Sequence, residues 1–491
     1  MTQTSHFRRL LDTSGWPGLG LIARWMVVLV AGTLLGAYAV VATMLPPQYE
    51  VLVTLALLTC LFMIIVRNVR RVLLAIILLD IPLQLDINYM YREEPASLGA
   101  LGGLDISVTT IALVGLYALW LGEFLAEKKP LRWSWFRMAL PLVLYIALAG
   151  LSMLVAPDGT LAFFEMFLLL QTFLLFLYVV NTTKTREDVL FVVTMLLTGL
   201  VLESLIIIGL RFLGHSVRVA GILARVDPGP RVGGTVGSPN NAAAFLVMPL
   251  VCALGVLLTQ TGRFTKMLAA IALGTGVVAL VFTLSRGGWL SFALATGMLC
   301  FAAWYRGWLS RKAIIGIVVV LVLLVLVLLP IILGRLTVDD RGSAASRIPL
   351  MKLAMRAIWD HPILGIGVNN MPVVIFQYVT PELGDVWVYS AHNKYLLVWA
   401  ETGPGSLIAF LWFLAATIRR GWQCWRLNDR LLSPLAFSLA VAIIGNMVHM
   451  FFDVFRSRPD VELLWVSAAL IIAIYRIGQP GIVSGEHATQ H

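Results

Sequence analysis

Apolar residues in this chain come in long runs separated by short polar connections, and the runs outnumber every other pattern. Fourteen can be marked, at 21–44, 49–66, 71–87, 105–124, 138–156, 161–180, 188–212, 241–260, 265–283, 288–305, 312–333, 392–418, 432–452 and 462–477. Most reach the length of about 20 residues that a helix needs to cross a hydrocarbon core about 30 Å thick. The third and the last are short, so 12 to 14 spans are expected. Lipid accepts only helices and closed barrels, because each backbone polar group must be satisfied within the segment. The period-two alternation of a barrel strand is missing, so the pattern predicts an all-α polytopic transmembrane helix bundle. The first run is too long for the apolar core of a cleavable signal and predicts a retained first span.

One stretch breaks the pattern. From Gly334 to Ala391 the chain spends 58 residues in polar and mixed sequence before it re-enters an apolar run at His392-Asn393-Lys394-Tyr395. A segment of this length outside the spans is long enough to carry function. Within it Leu350, Leu353, Ala354, Ala357 and Ile358 fall at helical spacing, with Arg347, Lys352 and Arg356 off that stripe. That spacing predicts an amphipathic helix lying on the membrane surface. His361-Pro362 ends it, and Gly365 and Gly367 turn the chain. The organisation expected is N-terminal transmembrane helices over 1–214, a central region over 215–420 that includes the loop 334–391, and C-terminal helices with a short polar tail over 421–491.

Composition agrees with the pattern: 59% of residues are hydrophobic and 13% charged, beyond what a soluble domain can bury. Cys60, Cys252, Cys300 and Cys424 show no paired spacing, so neither a zinc site nor a disulfide framework is indicated, and no metal or cofactor is expected. Lys and Arg favour cytoplasmic connections. With the N-terminus inside, 22 of the 36 cations fall on the cytoplasmic side. The other 14 lie outside, 13 of them from residue 211 onward, and 12 of the 14 are Arg. The planar guanidinium fork suits phosphate better than the point charge of Lys. The exterior face of the second half is therefore expected to meet an anionic ligand.

Three segments could supply the chemistry. The connection after the seventh run carries Arg218, Arg225 and Arg231 around Gly233-Gly234 and ends in Ser238-Pro239-Asn240, where Ser238 is placed to cap the next helix. A connector with solvated arginines fits the same residues. Ser285-Arg286-Gly287 sets an arginine between two spans with almost no loop to hold it. A cation at that depth is costly unless paired or wet, although a side chain can also snorkel to the interface. At the exit of the long loop His392, Tyr395 and Trp399 are spaced to share one helix face. A neutral imidazole can accept a hydroxyl proton near neutral pH. His449 with Asp453 is a second, weaker pairing of the same kind.

These residues also carry a resemblance. Gly237-Ser238-Pro239-Asn240 opening a span, Ser285-Arg286-Gly287 between spans, Asp360-His361-Pro362-Ile-Leu-Gly365-Ile-Gly367-Val-Asn369-Asn370 in the loop, then Ala391-His392-Asn393-Lys394-Tyr395-Leu396 and Ala400-Glu401-Thr402-Gly403 resemble the O-antigen ligase and polymerase superfamily of bacterial membrane glycosyltransferases. The resemblance spans about residues 215 to 420. It implies a bundle of the C-type glycosyltransferase kind in the inner membrane, with a long periplasmic loop. It further implies metal-independent, inverting transfer of a glycan from undecaprenyl diphosphate to an acceptor sugar, on lipid A-core or on a growing polysaccharide. Arg218, Arg225, Arg231 and Arg286 would take the diphosphate-binding roles, Arg286 and His392 the catalytic ones, and Asn240, Asn393 and Tyr395 acceptor positioning. Membrane lipids are then the remaining partners, with no nucleic acid expected. The rival reading from a different class is a transporter or flippase for an anionic lipid-linked glycan, its arginines lining a path.

Overall fold

The computed structural model describes residues 68–127, 136–219, 222–227, 231–308, 347–380 and 388–478, with isolated positions between 312 and 334. The runs expected at 21–44 and 49–66, and most of that at 312–333, lie outside the described residues, as does the tail. Each of the other eleven runs is a helix. In chain order the elements are α1 (Val69–Leu83), β1 (Asp86–Tyr89), α2 (Glu93–Ser97), β2 (Leu104–Ser107), α3 (Val108–Glu127), α4 (Phe136–Ser152), α5 (Gly159–Thr182) and α6 (Arg186–Leu213). Strands β3 (Val217–Val219), β4 (Ile222–Val226) and β5 (Val232–Gly234) precede α7 (Pro239–Leu258), α8 (Arg263–Phe282) and α9 (Arg286–Tyr305). The long loop holds α10 (Arg347–Asp360) and α11 (Met371–Val374), and the chain closes with α12 (Lys394–Trp425), α13 (Leu432–His449) and α14 (Arg458–Gly478). Among the described residues nine helices are long and apolar enough to cross a membrane, and the strands form one two-stranded and one three-stranded antiparallel sheet, neither closed. The protein is an all-α polytopic bundle.

Burial sorts the helices into layers. α7, α13 and α14 are apolar all round and buried on most of their surface, which places them at the centre. α3, α8 and α9 turn most of their apolar residues outward, as helices bathed in lipid do.

The connections gather at two ends, as the count of cations predicts. One end holds the ion pairs Arg71–Asp188, 3.1 Å, and Arg186–Asp429, 2.5 Å, with Arg306 donating to the Leu427 carbonyl at 2.9 Å. The other end collects both sheets and the long loop. There Asn369 donates to the carbonyls of Leu101, 2.9 Å, and Leu161, 2.8 Å, and accepts from the Leu101 amide, 2.8 Å. Asn370 accepts from the Asp158 amide at 2.7 Å and donates to its carbonyl at 3.1 Å. The loop is thus pinned to the connections of the first half.

Two expectations about this end change. The stripe on α10 forms as predicted, and Leu350, Leu353, Ala354, Ala357 and Ile358 are all buried. The stripe faces the protein instead of the membrane, and its first four residues pack with Ile366, Met371, Ile375 and Leu397 in a second small core. Arg356 donates to the Tyr378 carbonyl and the Thr380 hydroxyl, both at 3.1 Å, so it fastens the loop to itself. The second change concerns α12, which is broken at Gly403 (φ 79°, ψ 172°) ahead of Pro404. A straight helix would separate Tyr395 from Phe410 by about 22 Å along its axis at 1.5 Å per residue. Their ring centroids are 6.5 Å apart, so the helix bends sharply there. The 394–402 limb belongs to the outer layer, and only the 405–425 limb has the course of a span. Amides of Ile366 and Gly367 cap its freed carbonyls at Ala400 and Glu401, each 2.9 Å. A Cβ at Gly365 or Gly403 would collide with this crossing backbone.

Candidate functional site

The two arginine segments meet at the outer end beside the exit of the long loop. Arg218 lies opposite Leu223, and Arg225 follows two residues later on the same strand. Residues two apart share a sheet face, so Arg218 and Arg225 stand on one side of the ribbon. Both are exposed. Arg225 pairs with Asp227 at 3.1 Å across a solvated surface, a contact worth no more than about 1 kcal/mol. Arg231 is half-buried, donating from Nη2 to the Asn240 side-chain oxygen at 2.8 Å and from Nε to the Thr283 carbonyl at 3.3 Å. That second bond joins the ribbon to the turn from which Arg286 emerges.

The turn is held in a conformation that costs energy. Leu284 has φ 51°, a left-handed geometry that burdens a residue with a Cβ by about 1–2 kcal/mol. Ser285 then caps α9, its hydroxyl accepting from the Gly288 amide at 3.4 Å, and Arg286 is the first residue of the helix, exposed at the outer end. Behind it Gly287 faces His449: a Cβ there would lie 3.4 Å from the imidazole Nδ1. His449 is buried, and its Nε2 lies 3.2 Å from Asp453 Oδ2. Asp453 also accepts from the Val454 amide at 2.6 Å.

Asp453 connects this side to His392. The two are close enough that each alters the other's proton affinity. Burial pulls His392 below the ordinary imidazole value, Asp453 opposes that shift, and the cation of Arg347 adds to it. Burial alone would raise Asp453, but the His449 hydrogen bond, the two imidazoles and the Val454 amide outweigh it and hold the carboxyl below its ordinary value. His392 precedes the N-cap of α12, its ring 5.0 Å from that of Tyr389, and its Nδ1 is buried without a hydrogen-bond partner. Arg225 is near enough to Tyr389 to act on it electrostatically. The structure therefore brings Arg225, Arg231, Arg286 and His392 around one patch. Arg218 is on the same ribbon.

The remaining expected site residues are each hydrogen-bonded within the protein. Asn240 holds Arg231. Asn393 caps α12 by accepting from the Leu396 amide at 3.0 Å. The Tyr395 hydroxyl donates to the Met447 carbonyl at 2.8 Å while its ring packs on Phe451. Gly233 and Gly234 also turn inward: the Thr235 amide donates to the buried Glu203 carboxylate at 3.0 Å, and a Cβ at Gly234 would strike that same carboxylate.

Counting exterior arginines overstates the charge offered to a ligand. Arg456 is buried against Glu165 (2.8 Å) and Glu401, and Arg458 against Asp80 (3.0 Å), Asp86 and Glu462 (3.3 Å each). Arg92 pairs with Asp158. Apart from Glu462, four positions after Arg458, their partners lie 55 to 378 positions away in sequence, and no local pattern announces those. Arg347 and Tyr389 were also unmarked by spacing. Arg347 reads as part of a helix surface, yet its guanidinium sits 5.7 Å from the Phe452 ring centroid, beside the His449–Asp453 turn.

Residues 267–411 match the family described as O-antigen ligase, a stretch that includes Arg286, the long loop, His392, Asn393 and Tyr395 and stops short of the arginine ribbon. No curated protein matches the chain. The chain is a multi-pass membrane protein in which residues 267–411 match the O-antigen ligase family model, the family that its sequence motifs resemble.

Proposed function

We propose that the outer end of the bundle faces the periplasm and transfers a glycan from undecaprenyl diphosphate to an acceptor sugar with inversion at the anomeric carbon, on lipid A-core or on a growing polysaccharide. A donor outside the inner membrane must arrive already activated, because nucleotide sugars are not available there, and a lipid diphosphate meets that need. The acceptor hydroxyl oxygen attacks the anomeric carbon as the bond from that carbon to the diphosphate oxygen breaks. The hydroxyl proton passes to His392, and the electron pair leaves with the diphosphate. Arg225, Arg231 and Arg286 hold the diphosphate and stabilise the charge that develops on it, with Arg218 at the edge of the same ribbon. Metal assistance is not required by this scheme.

The observation that supports the reading most is that Arg225 acts on Tyr389, whose ring lies 5.0 Å from the buried His392 ring, while Arg231 is bonded to the turn that carries Arg286. Burial keeps that imidazole neutral and able to accept a proton. Cells lacking the protein distinguish the two acceptors. Full-length polymer retained on the lipid carrier identifies a ligase, and single repeat units identify a polymerase. Unchanged glycans on every carrier would refute both.

A further inference from the structure

We propose that His449 is a second ligand of the diphosphate, donating a hydrogen bond from Nδ1 to a phosphoryl oxygen seated at the N-terminus of α9 beside Arg286 and Gly287. The inference rests on the reading of the site as a lipid-diphosphate glycosyltransferase and extends the leaving-group side of it.

Three independent features meet there. α9 begins with Ser285 as its cap, Arg286 as its first residue and Gly287 as its second, so the positive end of a 20-residue helix lies at the outer end with no Cβ between its second residue and the His449 ring. His449 is 1% exposed, and its Nδ1 has no hydrogen-bond partner in the protein. A buried polar nitrogen left unmatched costs about 1–3 kcal/mol, so a partner is to be expected. Lastly, the unmatched edge of the ring is the one turned toward Gly287, with Nδ1 and Cε1 at 3.4 and 3.5 Å from the position of a Cβ.

Asp453 decides which proton the ring carries. A carboxylate only accepts, so the Nε2 that faces it at 3.2 Å must hold a hydrogen. With a hydrogen on each nitrogen the ring donates to Asp453 on one side and to a phosphoryl oxygen on the other. Charged or titratable groups around the ring are Asp453, His392 across that carboxylate, Tyr389 on His392, Arg347 over Phe452 and Arg286 beside Gly287. His449 and Arg286, on either side of Gly287, would hold the anion together.

The test uses the purified full-length protein and undecaprenyl-diphosphoryl N-acetylglucosamine as donor probe, with donor Kd and acceptor KM measured separately. Asn carries its amide nitrogen near the place of Nδ1, whereas Gln carries it near Nε2. His449→Gln is expected to weaken donor binding about ten-fold, as loss of a charge-assisted bond does, with acceptor KM unchanged. His449→Asn should restore most of the affinity. Gly287→Ala has room for its methyl at ordinary contact distance and places it over Nδ1. It should weaken the donor similarly, and adding His449→Gln to it should cost little more. Wild-type donor affinity in both His449→Gln and Gly287→Ala would overturn the proposal. Equal losses in His449→Gln and His449→Asn with acceptor KM rising in step would overturn it too, marking His449 as structural. Arg286→Ala is the separate control: if it binds donor like the wild type, the diphosphate reading of the site fails, whatever His449 does.

Discussion

At the scale of single residues, His392 is set apart from the other histidines by its surroundings more than by its neighbours in sequence. A general base contributes about 10²- to 10⁴-fold to a rate, and His392→Ala should lose transfer by that order while donor binding persists. Burial depresses the proton affinity of the imidazole, so the ring stays neutral to a lower pH than the usual value of about 6.5. The acid limb of the transfer rate should fall below that value. Asp453 raises the proton affinity of His392 and Arg347 lowers it. Asp453→Asn should therefore move the limb to lower pH and Arg347→Gln to higher pH, read from pH–rate profiles of the two variants. A limb that stays in place in both variants would show that neither charge acts on the base. Arg286 was visible in the sequence because it stands between two apolar runs, and His392 because it stands where the long polar loop re-enters one. Arg347, Tyr389 and the link through Asp453 were hidden, since they depend on which loop tips meet in space.

Among the elements, the long loop and the broken helix α12 form one unit. The bend at Gly403 turns the 394–402 limb across the outer layer, and Gly365 and Gly367 lie against its end. Gly403 has a positive φ with backbone of the loop where a Cβ would stand, so Gly403→Ala should displace the loop. Asn369→Ala removes three hydrogen bonds to the first half of the chain. Both variants should make the loop more readily cleaved by protease added from the outer side, with α13 and α14 retained in the membrane. Unchanged cleavage would contradict the clamp. Helix positions were legible because runs of this length admit one interpretation in lipid. The bend was marked only by Gly-Pro within a continuous apolar run, and the facing of α10 toward protein could not be told from its stripe. An amphipathic helix looks the same whether it lies on lipid or on a neighbour.

Across the whole molecule, ion pairs buried at the outer end tie the last helix to the first half. Arg456 joins Glu165 and Glu401, and Arg458 joins Asp80, Asp86 and Glu462. Removing one partner from such a cluster typically costs about 3–5 kcal/mol, because the charges left behind stay buried. Arg456→Met should destabilise the detergent-solubilised protein by that order in thermal unfolding. Combining it with Glu165→Gln and Glu401→Gln should recover much of the loss. The charge asymmetry along the chain foretold two unlike ends, and the structure sorts the connections accordingly. It also divides the exterior arginines into those that brace the bundle and those that border the candidate site. The proposed function concerns only the second set. The most direct test is transfer by the purified protein in liposomes supplied with a sugar-diphosphoryl undecaprenol and an acceptor glycan. The account predicts a new glycosidic bond with stoichiometric release of undecaprenyl diphosphate, lost in Arg286→Ala and in His392→Ala although both remain folded. Passage of the intact donor across the bilayer without release of diphosphate, or undiminished transfer by both variants, would contradict it.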